Sequence, residues 1–303
     1  MLLGAIIVLY FGAEFSLDAS EKVGKKLGLS PLLIGMLLVG FGTSLPEFFV
    51  GHIAGVQGKA GIAVGSLIGS NIANMFLILG LSGFLVNMKV SNKALRTQLG
   101  IHFILGFVLL FVLTRSNLDK VTAAPLLIVC GIYLYTLLGE FKKSGEQNKN
   151  SEEPFSPGPV LLKLIGGFGM LYLGGEMLVR SGSDLCIALG ISEYIVSAIF
   201  IAFGTSFPEL VTSFLAAYRK KDTDLIVGNI IGSNLFNCAF ILGSLGVYNF
   251  TLTENFNYEI ASLIFGGAVL LGLSLTGKSI NKLTGCIFVT VYLVMVGHWL
   301  KVI

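Results

Sequence analysis

Charge is what this sequence has least of. Only 12% of its 303 residues are Asp, Glu, Lys or Arg, about half the roughly 25% of a soluble globular chain. So little charge cannot cover a water-facing surface, which argues against an ordinary soluble enzyme or binding domain. Long polar stretches are scarce too. Residues 140–158 (EFKKSGEQNKNSEEPFSPG) form the one such run, which reads as a flexible linker. No room is left for a separate soluble regulatory domain. A basic stripe with interleaved aromatics is missing, which argues against nucleic acid as a partner. The four cysteines, Cys130, Cys186, Cys238 and Cys286, have no CxxC spacing and no neighbouring His. They read as small buried hydrophobes, with neither disulfides nor zinc expected. No nucleophile–base pair or HExxH motif stands out. Neither enzymatic activity nor a cofactor is therefore expected.

What is abundant is apolar sequence. Hydrophobic residues make up 54% of the chain, and the mean hydropathy is +0.86. A membrane-spanning helix needs about 20 mostly apolar residues. That window gives ten candidate spans: 2–19, 31–56, 62–86, 98–114, 121–139, 159–180, 191–217, 224–247, 257–275 and 281–299. The first apolar run lacks the basic start and small-residue cleavage site of a signal peptide and is read as a helix. The 39 glycines suit close helix packing in lipid. The fold class expected is an all-α integral membrane protein of ten transmembrane helices, embedded in a lipid bilayer.

Lys and Arg divide unevenly between the loops. Lys22, Lys25, Lys26, Lys89, Lys93, Arg96, Lys142, Lys143, Lys149, Lys163, Arg219, Lys220, Lys221, Lys278 and Lys282 fall on one side; Lys59, Arg115, Lys120, Arg180 and Lys301 fall on the other. The positive-inside rule then places the linker in the cytoplasm and both termini outside.

The chain also repeats itself. GFGTSLPEFFV (40–50) matches AFGTSFPELVT (202–212), VGSLIGSNIANMFLILG (64–80) matches VGNIIGSNLFNCAFILG (227–243), and LYFGAE (9–14) matches LYLGGE (171–176). Three blocks in the same order divide the chain into a five-helix repeat at 1–139, the linker at 140–158 and a second five-helix repeat at 159–303. An odd number of spans per repeat inverts the second half relative to the first. Inverted repeats of this kind are a signature of secondary transporters, with the ion site near the midplane.

The repeated blocks carry the chemistry. Glu47 and Glu209 each sit mid-span with no basic residue nearby in the same span. A charge at the bilayer centre costs about 2.5–3.5 kcal/mol on insertion scales, so each is a candidate for binding a mobile cation. Each follows a proline, Pro46 or Pro208, which inside a helix removes a backbone hydrogen bond and frees carbonyls near Gly42 and Gly204. Thr43, Ser44, Thr205 and Ser206 add oxygens within a turn of the carboxylates. Ser70 and Asn74, and Ser233 and Asn237, share a helix face at i and i+4. The set is all oxygen, which suits hard cations such as Na⁺ and Ca²⁺. Two carboxylates would neutralise one Ca²⁺; three Na⁺ would leave about one net positive charge.

The paired GTS-x-PE and GS-N-x-x-N blocks resemble the two alpha repeats of the sodium/calcium exchanger family, within the cation/calcium antiporter superfamily, and the length resembles a prokaryotic member. That resemblance covers nearly the whole chain. It implies Na⁺/Ca²⁺ antiport by alternating access, in a multi-pass plasma-membrane protein read as a monomer. Glu47 and Glu209 would be the central ligands. Thr43, Ser44, Thr205, Ser206, Ser70, Asn74, Ser233 and Asn237 would coordinate, and Gly40 and Ala202 would lend backbone carbonyls. It also implies that spans 2–19 and 159–180 slide over the core. Some relatives carry Asp where this chain has Asn237, which leans away from potassium dependence. The alternatives are exchange of H⁺ or another cation for Ca²⁺ and, further off, a passive cation channel.

Glu14 and Glu176 match between repeats and are read as interfacial or as lining an access path. His52 reads as structural, Asp18 and Asp184 as solvated, and Tyr10 and Trp299 as interfacial anchors.

Overall fold

The computed structural model describes residues 2–147, 156–188 and 204–300. Its helices are α1 (Leu2–Lys26), α2 (Pro31–Thr43), α3 (Leu45–Val56), α4 (Ala60–Leu85), α5 (Lys93–Leu113) and α6 (Lys120–Gln147) in the first half. The second half has α7 (Pro157–Ala188), α8 (Phe207–Tyr218), α9 (Thr223–Tyr248), α10 (Asn257–Thr276) and α11 (Lys282–Trp299). Four two-residue strands sit in the loops: β1 (Met88–Lys89), β2 (Asn117–Leu118), β3 (Phe250–Thr251) and β4 (Ser279–Ile280).

Among the described residues eight helices are long and apolar enough to cross a membrane, or nine if α2 and α3, bent by 41°, count as one broken span. The span expected at 191–217 is described only in its second half, as α8; residues 189–203 lie outside the described residues. Several boundaries differ from expectation: α5 starts at Lys93 rather than 98, α7 runs on to Ala188 rather than 180, and two further differences have local causes. The first span, expected to end at residue 19, stays helical through Glu21–Lys26 as the end of α1, because basic residues in a last turn complement the helix dipole. Residues 140–147, expected in the linker, continue α6. They contain no proline before Pro154 and are rich in Glu and Lys, good helix formers.

Burial sorts the helices into an inner and an outer set. The apolar windows of α4 and α9 are 83% and 89% buried, against 22–50% for the other single-helix spans. The inner pair therefore builds the core, and the outer helices turn faces such as Ile104 and Phe107 on α5, or Leu161 and Ile165 on α7, outward. Cys130 and Cys238 are buried as expected, but Cys286 is exposed on the outer face of α11. In lipid an apolar thiol costs nothing there.

Glycine sets the closest approaches. A Cβ built on Gly228 would lie 2.6 Å from the Leu32 carbonyl oxygen, and one on Gly232 would lie 2.7 Å from the Met36 Cα. Helices α2 and α9 thus meet backbone to backbone beside the repeated motifs. Gly232→Ala should destabilise the protein by about 1–3 kcal/mol through overpacking, read as a lower thermal midpoint; an unchanged midpoint would contradict this packing.

Residues related by the repeat occupy equivalent contacts. Gly12 of α1 faces the backbone of Leu171 on α7, and Gly174 of α7 faces the backbone of Leu9 on α1. The ribbons do the same. β1 pairs antiparallel with β4, Met88 opposite Ile280, and β2 pairs with β3, Leu118 opposite Phe250. Met88 and Phe250 are 162 positions apart, and so are Leu118 and Ile280. One ribbon is the repeat image of the other, and each joins a loop of the first half to a loop of the second.

Candidate ion-binding site

The chain breaks twice in the same way. Ser44 separates α2 from α3 with φ −86° and ψ 4°; Ser206 precedes α8 with φ −88° and ψ 4°. Both conformations leave the helical region, so Pro46 and Pro208 are second residues of new helices rather than interior prolines. This corrects the sequence expectation. A proline is well tolerated in a first turn, where its missing N–H has no intrahelical partner to lose. Glu47 and Glu209 then fall in the first turns of α3 and α8. Helix N-termini favour negative charge, which offsets part of the cost of holding carboxylates away from water.

Both carboxylates are fully buried. Ser70 donates to Glu47 Oε1 at 2.9 Å, and Ser206, from the other repeat, donates to the Ser70 hydroxyl at 2.9 Å. Asn237 Nδ2 reaches the same hydroxyl at 3.4 Å. In the other direction Ser44 donates to Glu209 Oε1 at 3.4 Å. Each motif thus contributes a serine to the group of polar side chains around the other motif's glutamate. Thr205 lies beside Glu47, but its hydroxyl closes no hydrogen bond of good geometry.

Asn74 and Asn237 sit where the inner helices change pitch. Residues Ala73–Ile78 and Phe236–Ile241 are π-helical, and π-bulges cluster at functional sites. Each Asn is the second residue of its π segment, and both are fully buried. Among the described residues, the oxygens Glu47 Oε2, Glu209 Oε2, Asn74 Oδ1, Asn237 Oδ1 and Thr205 Oγ1 have no hydrogen-bond partner. Buried acceptors are nearly always satisfied. Two carboxylates with free oxygens, supplemented by neutral amide and hydroxyl oxygens, have the chemistry of a hard-cation site. Among the described residues no three His, Cys, Asp or Glu come together to hold a metal ion. A cation here must rely on the two glutamates and neutral oxygens.

Thr43 and Ser233 stand next to this group, hydroxyl to hydroxyl at 3.4 Å. Gly40 lies beside them, on α2. Its carbonyl already accepts from Ser233 Oγ at 3.0 Å, from the Ser44 N–H at 3.3 Å and from Thr43 Oγ1 at 3.4 Å, so in this conformation it is not a free oxygen. Ala202 lies outside the described residues.

Several structural polar residues escaped the sequence reading. Asn71 Nδ2 donates to the Asn234 carbonyl at 3.0 Å, and Asn234 Nδ2 returns a bond to the Asn71 carbonyl at 3.3 Å. This reciprocal pair joins α4 to α9. The aligned GSN triplets held the signal, but Asn71 and Asn234 are off the Ser–Asn face at i and i+4. Asn229, donating to Thr212 and Ser213 at 3.2 Å each, has Ser66 at its repeat position and gave no repeat signal.

The outlying residues are engaged locally. Glu14 pairs with Arg219 at 2.9 Å, and Glu176 pairs with Arg180. His52 bonds Tyr248 and Ser244 at 3.0 Å each, a structural role. Asp18, expected to be solvated, is paired with Lys22 and Lys163. Trp299 Nε1 donates to Glu259 Oε1 at 2.7 Å.

Comparison with known proteins places the chain in a family of ion exchangers. The family model described as sodium/calcium exchanger protein matches residues 1–139 and 160–300. The sodium/calcium exchanger MaX1 of Methanosarcina acetivorans is 28% identical over 341 aligned residues, covering 96% of this chain and 95% of that protein. The Ca²⁺/H⁺ antiporter ChaA of Bacillus subtilis is 23% identical, covering 89% and 84%. A solved structure of the sodium-calcium exchanger NCX_Mj, soaked with zero Na⁺ and Ca²⁺, superposes with a TM-score of 0.83 at 28% identity, over 98% of this chain and 96% of that one.

Proposed function

The chain belongs to the sodium/calcium exchanger family, whose members are membrane antiporters and not enzymes, and from that premise we propose that it exchanges Na⁺ for Ca²⁺ by alternating access at one shared site. The observation that carries this reading is the pair of fully buried glutamates, Glu47 and Glu209, each with a carboxylate oxygen that no described residue satisfies. Around them stand Ser70, Ser206, Ser44, Asn237 and Thr205, contributed by both halves, and Asn74, buried at the equivalent π segment, is assigned with them. Thr43 and Ser233 complete the ligand set, and Gly40 and Ala202 join it in another conformation. Two negative charges match one Ca²⁺. Several Na⁺ on the same oxygens make exchange competitive.

The architecture in this reading is ten spans in two inverted five-helix repeats, 1–139 and 159–303, joined through a linker at 140–158. The symmetric ribbons and the exchanged glycine contacts of α1 and α7 support it. The Lys and Arg bias supports a plasma-membrane orientation with both termini outside and the linker in the cytoplasm. Helices α1 and α7 slide together across the α2–α3–α4 and α8–α9 core.

Calorimetry tests the site. Ca²⁺ added to the purified protein in Na⁺-free buffer should release binding heat that Glu47→Gln removes and that added Na⁺ competes away. Heat that survives the substitution, or that Na⁺ leaves untouched, would end the shared-site reading. A second reading, H⁺/Ca²⁺ exchange, draws on the similarity to ChaA. It is separated by the gradient that drives uptake.

A further inference from the structure

The membrane face with most of the Lys and Arg also has a cavity of about 600 Å³, walled by Asn87, Lys89, Lys278, Ser279, Asn281 and Thr284. It lies against the β1–β4 ribbon and the start of α11, outside the ion site. No Asp or Glu lines it. Among the described residues neither Lys89 nor Lys278 has a carboxylate partner, the ion pairs of this face going to Lys22, Lys163, Arg219 and Lys221. Two ammonium groups thus share one concave wall without a counter-charge. Neutral donors stand beside them. Asn281 Oδ1 is occupied in capping α11 by accepting from the Leu283 and Thr284 N–H groups, which leaves its amide NH₂ as a donor.

The rim is apolar. Leu283 also lines the cavity and is 70% exposed, and Leu85 and Leu275, on the helices that lead to it, are 52% and 62% exposed. In a membrane-spanning chain these side chains meet acyl chains. A basic, donor-rich wall with an apolar rim at one membrane face matches the two halves of a phospholipid. Basic pockets between spans on the cytoplasmic side are suited to anionic headgroups, and the proposed orientation puts this face there.

We propose that the cavity binds the phosphate headgroup of an anionic phospholipid, its acyl chains lying along the exposed leucines. Because β1 belongs to the first half and β4 to the second, the bound lipid braces the ribbon that clasps them. Free inorganic phosphate shares the headgroup chemistry but leaves the leucine rim unused. The inference rests on the membrane-spanning fold and the proposed orientation; it does not depend on which ion is coupled.

The full-length protein in detergent micelles can be titrated with phosphatidylglycerol, phosphatidylcholine or inorganic phosphate while the thermal midpoint is followed. Phosphatidylglycerol should raise the midpoint, and the other two should not. The variant with both Lys89→Gln and Lys278→Gln should need on the order of thirtyfold more phosphatidylglycerol for the same rise, about fivefold per lysine. Both lysines are exposed, and the single variants provide a second series. Lys89→Arg with Lys278→Arg should keep wild-type binding, and Lys59→Gln, on the opposite face, should change nothing. An equal rise with phosphatidylcholine or with phosphate would overturn the assignment. Glutamine variants with the wild-type titration midpoint would overturn it too.

Discussion

Glu209→Gln should abolish Ca²⁺ exchange while the protein folds at least as well as before. Glu209 is fully buried, and among the described residues its carboxylate accepts from Ser44 at a long 3.4 Å, with Oε2 unpartnered. Burying an ion with so few donors costs several kcal/mol. A neutral amide of the same shape removes that cost, so in ion-free buffer the thermal midpoint should stay level or rise. Cation binding moves the other way. Taking away one partner of a buried charge pair typically costs about 3–5 kcal/mol, which is a hundredfold or more in Ca²⁺ affinity. Wild type should therefore show a Ca²⁺-dependent rise in thermal midpoint by mass action, and the variant should show none at the same concentration. A variant that kept the wild-type rise would remove Glu209 from the site. The two readouts together separate a lost ligand from a lost fold.

Gly12→Leu should leave Ca²⁺ binding intact and lower exchange at least tenfold. A Cβ on Gly12 would already lie 2.8 Å from the Leu171 backbone nitrogen, and leucine adds three more carbons. Helices α1 and α7 must then separate or tilt, and the pair no longer moves across the core as one closely packed unit. Gly12 lies on α1, whereas Glu47 and Glu209 lie on α3 and α8, so the ion-binding oxygens keep their places. Equilibrium Ca²⁺ binding compared with the initial rate of uptake makes the test. Normal uptake with Gly12→Leu would contradict sliding of this pair, and loss of binding would mean that α1 supports the site directly.

The parts legible in the sequence were those fixed by periodicity and duplication. Apolar windows located the outer helices, because lipid imposes a minimum length on each. The duplicated GTS-x-PE block picked out Glu47 and Glu209 as carboxylates in apolar runs, and both are fully buried. Local geometry was harder to read. Pro46 signalled a disturbed helix, but whether the chain kinks or stops depends on the conformation of Ser44, two residues earlier. The π segments at Asn74 and Asn237 leave no mark in composition, since one extra residue per turn is set by packing. Asn71 and Asn234 stood in plain view in both repeats, yet their reciprocal bonds exist only where α4 meets α9. Two-residue strands such as β1 and β4 are too short for any alternating pattern. Their partners are also far away in the chain.

The most direct measurement of the central claim is radiolabelled Ca²⁺ uptake into proteoliposomes, with Na⁺, K⁺ and H⁺ gradients imposed one at a time. An outward Na⁺ gradient alone should drive uptake, Glu209→Gln should abolish it, and uptake should stop when Na⁺ is equal on both sides. Uptake driven equally well by a pH gradient without Na⁺, or Ca²⁺ flux that needs no counter-ion, would contradict Na⁺/Ca²⁺ exchange.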